Sequence, residues 1–185
     1  MIGLKRGTVA LFPHEKGWED EAESAIRKLS LIFGEDAVDI QHVGSTSVRS
    51  ICAKPIIDIA VGVTSFENAL HHKNELEKSG FIYRKSDIPE QLLFACGSYY
   101  DGTGDLQTHF IHVVIYGAKA WNDYINFRDY LNCNANAAKE YEALKLKLAS
   151  ECPVDKWRER YLAGKHDFIN EMLIKAAEFK KERAD

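Results

Sequence analysis

A Gly-Ser-Thr turn, Gly44-Ser45-Thr46, and a lone aspartate, Asp58, stand close together in the stretch DIQHVGSTSVRSICAKPIIDIAVGV, residues 39–63. Glycine lets the backbone approach a ligand closely, and the serine after it adds a hydroxyl and an N–H. Together they can cradle phosphate oxygens, most of all where a helix N-terminus follows. Asp58 lies inside Ile56-Ile57-Asp58-Ile59-Ala60-Val61, a run that reads as a strand apolar on both faces. A carboxylate buried there without compensation costs roughly several kcal/mol. The run therefore demands a cation, a strong hydrogen-bond donor or an opening to solvent. Lys54, just ahead of it, is placed to neutralise a phosphate as a point charge or to pair with a neighbouring carboxylate.

Further along, LQTHFIHVVIY (106–116) alternates as a strand. The alternation puts His112 on the face of Phe110 and Val114 and His109 on the other, so the two imidazoles cannot chelate one metal. If the His112 face meets the face of Asp58, the two share a site as an ion pair or as metal ligands. Arg128 shares a helical stripe with Trp121 and Leu131, which turns its guanidinium inward as a structural partner or a ligand clamp. Arg84, in FIYRK, is a candidate of the same type. His42 precedes the turn and is read as fixing it by bonding a backbone group. His109, His71, His72 and His166 read as surface residues.

These side chains need elements to hold them. GTVALFP (7–13) reads as a short strand closed by Pro13, and Lys16–Phe33 as a helix stopped by Gly34. AVDIQHV (37–43) and IIDIAVGV (56–63) are predicted strands. Thr64-Ser-Phe-Glu67 is a capping box that opens a helix running to about Gly80. FIYRK, QLLFACGSYY and LQTHFIHVVIY are further strands, with Asp-Gly hairpin chemistry between the last two. After Gly117 the period-two alternation stops. Three helical stripes follow, led by Trp121, Tyr141 and Trp157. The plan is one unit over 1–185, with an α/β sheet part over 1–117 and a helical part over 118–185.

The chain has 185 residues, 45% of them hydrophobic, which is enough for a real core. Its net charge of -4 is spread among interspersed charges, so no basic face announces a grip on duplex nucleic acid. No apolar run is long enough for a membrane span, and the N-terminus lacks the pattern of a signal peptide. Four scattered cysteines without a C-x-x-C pair read as reduced thiols of a cytoplasmic protein.

A Gly-Ser turn followed at this distance by a strand aspartate resembles the nucleotidyltransferase superfamily. QHVGSTSV…AKPIIDIAVGV, HFIHVV, W…FRDYL, YEALKLKLA and YLAGKHDFI are similar, in that order, to the GrpB family. The resemblance implies a nucleotidyltransferase-like mixed β-sheet with flanking helices and a C-terminal helical segment. It implies a nucleotide or other phosphorylated small molecule as ligand. Gly44, Ser45 and Thr46 would hold phosphate with Lys54, Arg128 and Arg84. Asp58 and His112 would be the catalytic pair, with Asp58 as the ligand of a Mg2+ ion, and Lys145 and Lys165 match family positions in the helices. Two departures stand out. Ala60 occupies the second position of the Asp-x-Asp pair that two-metal transfer uses. Phe110 replaces the first histidine of the family's His-Leu-His. A second carboxylate would have to come from Glu90, Asp87, Asp101 or Asp105. The alternative that the resemblance carries is a non-catalytic binding or regulatory module linked to coenzyme A metabolism, since the domain is found fused behind dephospho-CoA kinase.

Overall fold

Trp18, Ala22, Ala25, Leu29, Ile32 and Phe33 recur on one side of α1 (Lys16–Phe33), and all are buried. That stripe lies on the sheet because burying each large side chain is worth about 1.5–3 kcal/mol. In the computed structural model, which describes residues 1–85, 88–151 and 157–182, Gly34 ends the helix with φ +53°. The sheet consists of β2 (Ala37–Val43), β3 (Ile57–Val63), β4 (Ile82–Arg84), β5 (Gln91–Cys96) and β7 (His109–Ile115). The strands lie in the order β2-β3-β7-β5-β4, with β3 and β7 parallel and every other pair antiparallel.

Alternation along β3 assigns its two faces. Ile57, Ile59, Val61 and Val63 join the core beneath α1, whereas Ala60 packs with Val43, Val114 and Trp121 on the other side. Trp121 belongs to α5 (Lys119–Cys133), and a Cβ added at Gly62 would stand 2.9 Å from its ring. A glycine in mid-strand here lets the helix sit directly on the sheet. Behind α5 come α6 (Ala135–Glu151) and α7 (Trp157–Glu182). Their core takes in Tyr130, Leu131, Tyr141 and Met172, and also Val48 and Ile51 from the segment after the Gly-Ser turn. That segment runs between sheet and helices, so the two parts meet along it.

Several boundaries differ from the sequence reading, each for a local reason. The first strand is not 7–13: β1 (Leu4–Lys5) pairs with β6 (Leu106–Gln107) in a separate ribbon, and Phe12 makes only a bridge to Ala53. β6 has therefore left the strand expected over 106–116. Ser65 rather than Thr64 caps α2 (Phe66–His71), its hydroxyl accepting from the N–H groups of Glu67 and Asn68. The expected single helix breaks after α2 and resumes as α3 (Lys73–Lys78), while the His72 ring bonds Asp36 at 2.8 Å. The end of the expected strand QLLFACGSYY turns into a short helix, α4 (Ser98–Asp101), closed by Gly102 at φ +80°.

Candidate functional site

Asp58 is the second residue of β3, at the strand's mouth, and its side chain is 29% exposed. The paradox of a charge in an apolar run is resolved by an opening: the carboxylate faces a cleft between the sheet and the helices. Ala60 on β3 is opposite His112 on β7, so the faces of Asp58 and His112 coincide. His112 Nε2 donates to Asp58 Oδ1 at 3.0 Å. Behind the imidazole, the Tyr124 hydroxyl lies 3.1 Å from Nδ1 and donates to Gln91 Oε1 at 2.9 Å. Burial raises the Tyr124 phenol well above its ordinary range, which keeps it neutral as a donor.

The Gly-Ser turn forms the neighbouring wall. Gly44 has φ +70°, and a Cβ there would fall 2.5 Å from Asp58 Oδ2. Only glycine allows the turn and the carboxylate to lie so close. The Ser45 hydroxyl points to Tyr141 at 3.4 Å and lines the cleft. After it comes a single 3-10 turn, Ser45–Ser47, rather than a helix, so no macrodipole is aimed at the turn.

Lysines make up the rest of the wall. Lys54, Lys145 and Lys165 all line a cavity of about 230 Å3 that also takes in Ser45 and Asp58. Lys54 Nζ and Lys165 Nζ sit 4.3 and 4.5 Å from the centroid of the Tyr161 ring. Lys145 is 1% exposed, lies 4.6 Å from the Tyr141 ring and donates to the Cys52 carbonyl at 2.5 Å. Burial, with Lys165 nearby, pulls Lys145 down to about 7, against the opposing pull of Glu142. Burial likewise lowers Lys165 to about 8, and Asp58 works in the other direction. A second cavity, of about 480 Å3, continues the cleft past Gly44 and His112, and Ser45, Asp58 and Lys165 line both.

Three expected ligand contacts lie elsewhere. The Thr46 hydroxyl is turned inward, 1% exposed, onto His42 Nε2 at 2.9 Å and the Ile56 carbonyl at 3.4 Å. Its place is set by His42, which bonds this side chain rather than a backbone group, and which burial lowers to about 4 and keeps neutral. Arg128 Nη1 donates to Gln41 Oε1 at 2.9 Å and to the His42 carbonyl at 3.0 Å, tying α5 to the end of β2. It borders a larger cavity, about 660 Å3, behind the turn, whose guanidiniums are already engaged: Arg49 with Glu19 and Arg128 with Asp129. Arg84 is exposed on β4, 5.3 Å from the Tyr100 ring; it shares the sheet face of His112, but β4 is the edge strand, two strands away from β7. His109 is not a surface residue: it is 8% exposed under α1, 3.3 Å from Glu21.

A metal centre needs carboxylates, and the supply is thin. Among the described residues no three of His, Cys, Asp and Glu converge to hold an ion. Of the expected second carboxylates, Asp101 bonds Thr103, Asp105 pairs with Lys5, and Glu90 is exposed at φ +61°. Asp87 lies outside the described residues. Asp123 does line the cavity of about 480 Å3, paired with Lys119. No described helix is long and apolar enough to cross a membrane.

The GrpB protein family model matches residues 8–175. The glutamate-rich protein GrpB of Alkalihalophilus pseudofirmus is 38% identical over 94% of this chain and 98% of its own length. Conserved protein GrpB from Enterococcus faecalis, a crystal structure, superposes with a TM-score of 0.79 at 26% identity, over 92% of this chain and 99% of that one. The Cid1 poly(U) polymerase with MgGTP bound superposes with a TM-score of 0.51 at 18% identity, over 75% of this chain and 43% of that one. That likeness shows the fold, a nucleotidyltransferase-like mixed sheet with flanking helices. The chain belongs to the GrpB family.

Proposed function

We propose that the cleft binds a phosphorylated small molecule of the nucleotide type. Lys54, Lys145, Lys165 and Ser45 meet its phosphates, and Asp58 with His112 stands where the two cavities join. One observation carries the reading: among the described residues lining a cavity of about 230 Å3, three lysines stand with a single carboxylate, Asp58. That preponderance of lysine, with Lys145 and Lys165 lowered by burial, favours an anionic ligand.

A Mg2+ ion suits this site only as one ion travelling with the phosphates, with Asp58 as its one protein carboxylate and water filling the rest of its shell. Bound there, it would neutralise phosphoryl oxygens. A pair of bridging carboxylates does not fit, since Ala60 takes the second position and lysines take the flank. The same observation favours a second reading, a ligand-sensing module without transfer chemistry.

Thermal unfolding with nucleoside mono-, di- and triphosphates and coenzyme A precursors, each with and without Mg2+, tests the proposal. A ligand at 100 times its Kd adds about 2.7 kcal/mol of stability. Loss of that gain in Lys54→Gln is the expected control. A panel in which no phosphate compound stabilises the protein overturns the reading. Pyrophosphate release from a bound triphosphate separates transfer from sensing.

A further inference from the structure

The lysine cavity is too small for a whole nucleotide, and the cleft does not end there. Past Ser45, Asp58 and Lys165 it widens to about 480 Å3, and its character changes. The wall is now Tyr124, Phe127 and Tyr141 together with Ile169 and Leu173, with no lysine beyond the shared Lys165. Phe127 meets Tyr141 edge-on at 5.4 Å, and Tyr141, stacked on Phe168 at 5.6 Å with Lys145 over its ring, braces the chamber wall. The polar side chains beyond the shared residues are few: His112, the Tyr124–Gln91 bond and Asp123, which pairs with Lys119. That composition is the usual one for a chamber holding an organic ligand.

We propose that the two chambers hold the two ends of one ligand: phosphate among the lysines, and a flat ring in the Tyr124–Phe127–Tyr141 chamber, with the linking ester beside Asp58 and Ser45. This rests on the anion-binding reading above and narrows it to ring-bearing phosphate esters, nucleoside phosphates above all. It excludes bare polyphosphate and open-chain sugar phosphates as preferred ligands. The order of the chambers also fixes direction. Asp58 and His112 then face the bond between the phosphate and organic parts of the ligand, rather than its terminal phosphate.

The two ends are tested separately by isothermal titration of the intact chain with inorganic tripolyphosphate and with the four ribonucleoside triphosphates. The ring is expected to tighten binding by about tenfold or more over tripolyphosphate, the worth of one stacked base. Leu173→Glu, at a half-buried wall residue, should erase that advantage, so that the nucleoside triphosphates bind no tighter than tripolyphosphate, while Lys54→Gln weakens both probes. Phe127→Leu, which keeps an apolar side chain, should lower the ring advantage partly if Leu173→Glu fails to fold. Equal affinity for tripolyphosphate and every nucleoside triphosphate overturns this inference and leaves the anion site standing. Failure of every polyphosphate to bind removes both readings.

Discussion

Lys145→Met should stabilise the ligand-free protein at low pH and lose that advantage as pH rises. Lys145 is buried, and its ammonium is lowered from its ordinary 10.5 to about 7. At about 1.36 kcal/mol per pH unit, keeping it charged in the fold at pH 6 costs on the order of 5 kcal/mol. Methionine keeps a stem of similar length and removes that cost. It also removes the donor to the Cys52 carbonyl, a loss of about 1–3 kcal/mol, and leaves Glu142 with the Cys52 N–H as its partner. The balance is a gain of about 2–4 kcal/mol at pH 6. Between about 7 and 10.5 the unfolded chain binds more protons at this lysine than the folded chain does. Wild-type stability therefore rises with pH across that window, and by about pH 10 the variant's advantage is gone, leaving it less stable by up to about 2 kcal/mol from the lost hydrogen bond. Lys165 adds in the same direction, since burial lowers it to about 8. Urea denaturation of both proteins at pH 6, 8 and 10 measures the difference directly. A difference that does not move with pH, or a wild type more stable at pH 6, refutes the argument that Lys145 is held in an unfavourable charged state for a ligand.

Asp58→Asn keeps the shape and a bond to His112, so urea denaturation should show a change within about 1 kcal/mol. Tripolyphosphate binding without Mg2+ should tighten by about 1 kcal/mol as a repelling charge leaves, and any strengthening by Mg2+ should vanish; severe unfolding with unchanged affinity would make Asp58 structural. Gly44→Ala forces φ +70° on a residue with a Cβ and pushes that atom against Asp58 Oδ2, so stability should fall by about 1–2 kcal/mol or more, with tripolyphosphate affinity falling as well. Arg128→Ala removes the bonds to Gln41 and the His42 carbonyl and should destabilise by roughly 2–3 kcal/mol in denaturation. A stability change under about 0.5 kcal/mol with a tenfold loss of affinity would instead put Arg128 on the ligand.

The strands that carry Asp58 and His112 were legible because alternation and apolar runs are local signals. The same alternation, read on two strands, placed both side chains on one face once β3 and β7 lay side by side. What alternation could not give is where a strand ends. Leu106–Gln107 continues the alternating pattern, yet it leaves the sheet to pair with Leu4–Lys5, a partner about a hundred residues away. Which of its possible compensations serves Asp58 was not legible for a related reason. Its neighbours in sequence are core residues, but it stands at the end of β3, where the sheet stops and the cleft begins. The buried Thr46 was misjudged because a turn hydroxyl looks alike in sequence whether it faces ligand or core. Only the position of the His42 ring decides it.

The lysines of the site carried a signal of another kind, one that the helical stripes contained. Tyr141, Lys145 and Leu148 are spaced four and three apart, and Tyr161, Lys165 and Phe168 repeat the pattern one helix later. A charged residue in the middle of such a stripe faces what the stripe faces. In each helix the ammonium lies over the ring of the tyrosine four residues before it, at 4.6 Å for Lys145 and 4.5 Å for Lys165. The aromatic faces hold the cations in place and offset part of their desolvation, at about 0.5–2 kcal/mol each. They do not neutralise them. Two helices thus deliver buried ammonium groups to the flank of the strand that carries Asp58. Among the described residues lining that cavity Asp58 is the one carboxylate, so what α6 and α7 bring to it is the opposite of the second acidic group that two-metal transfer needs.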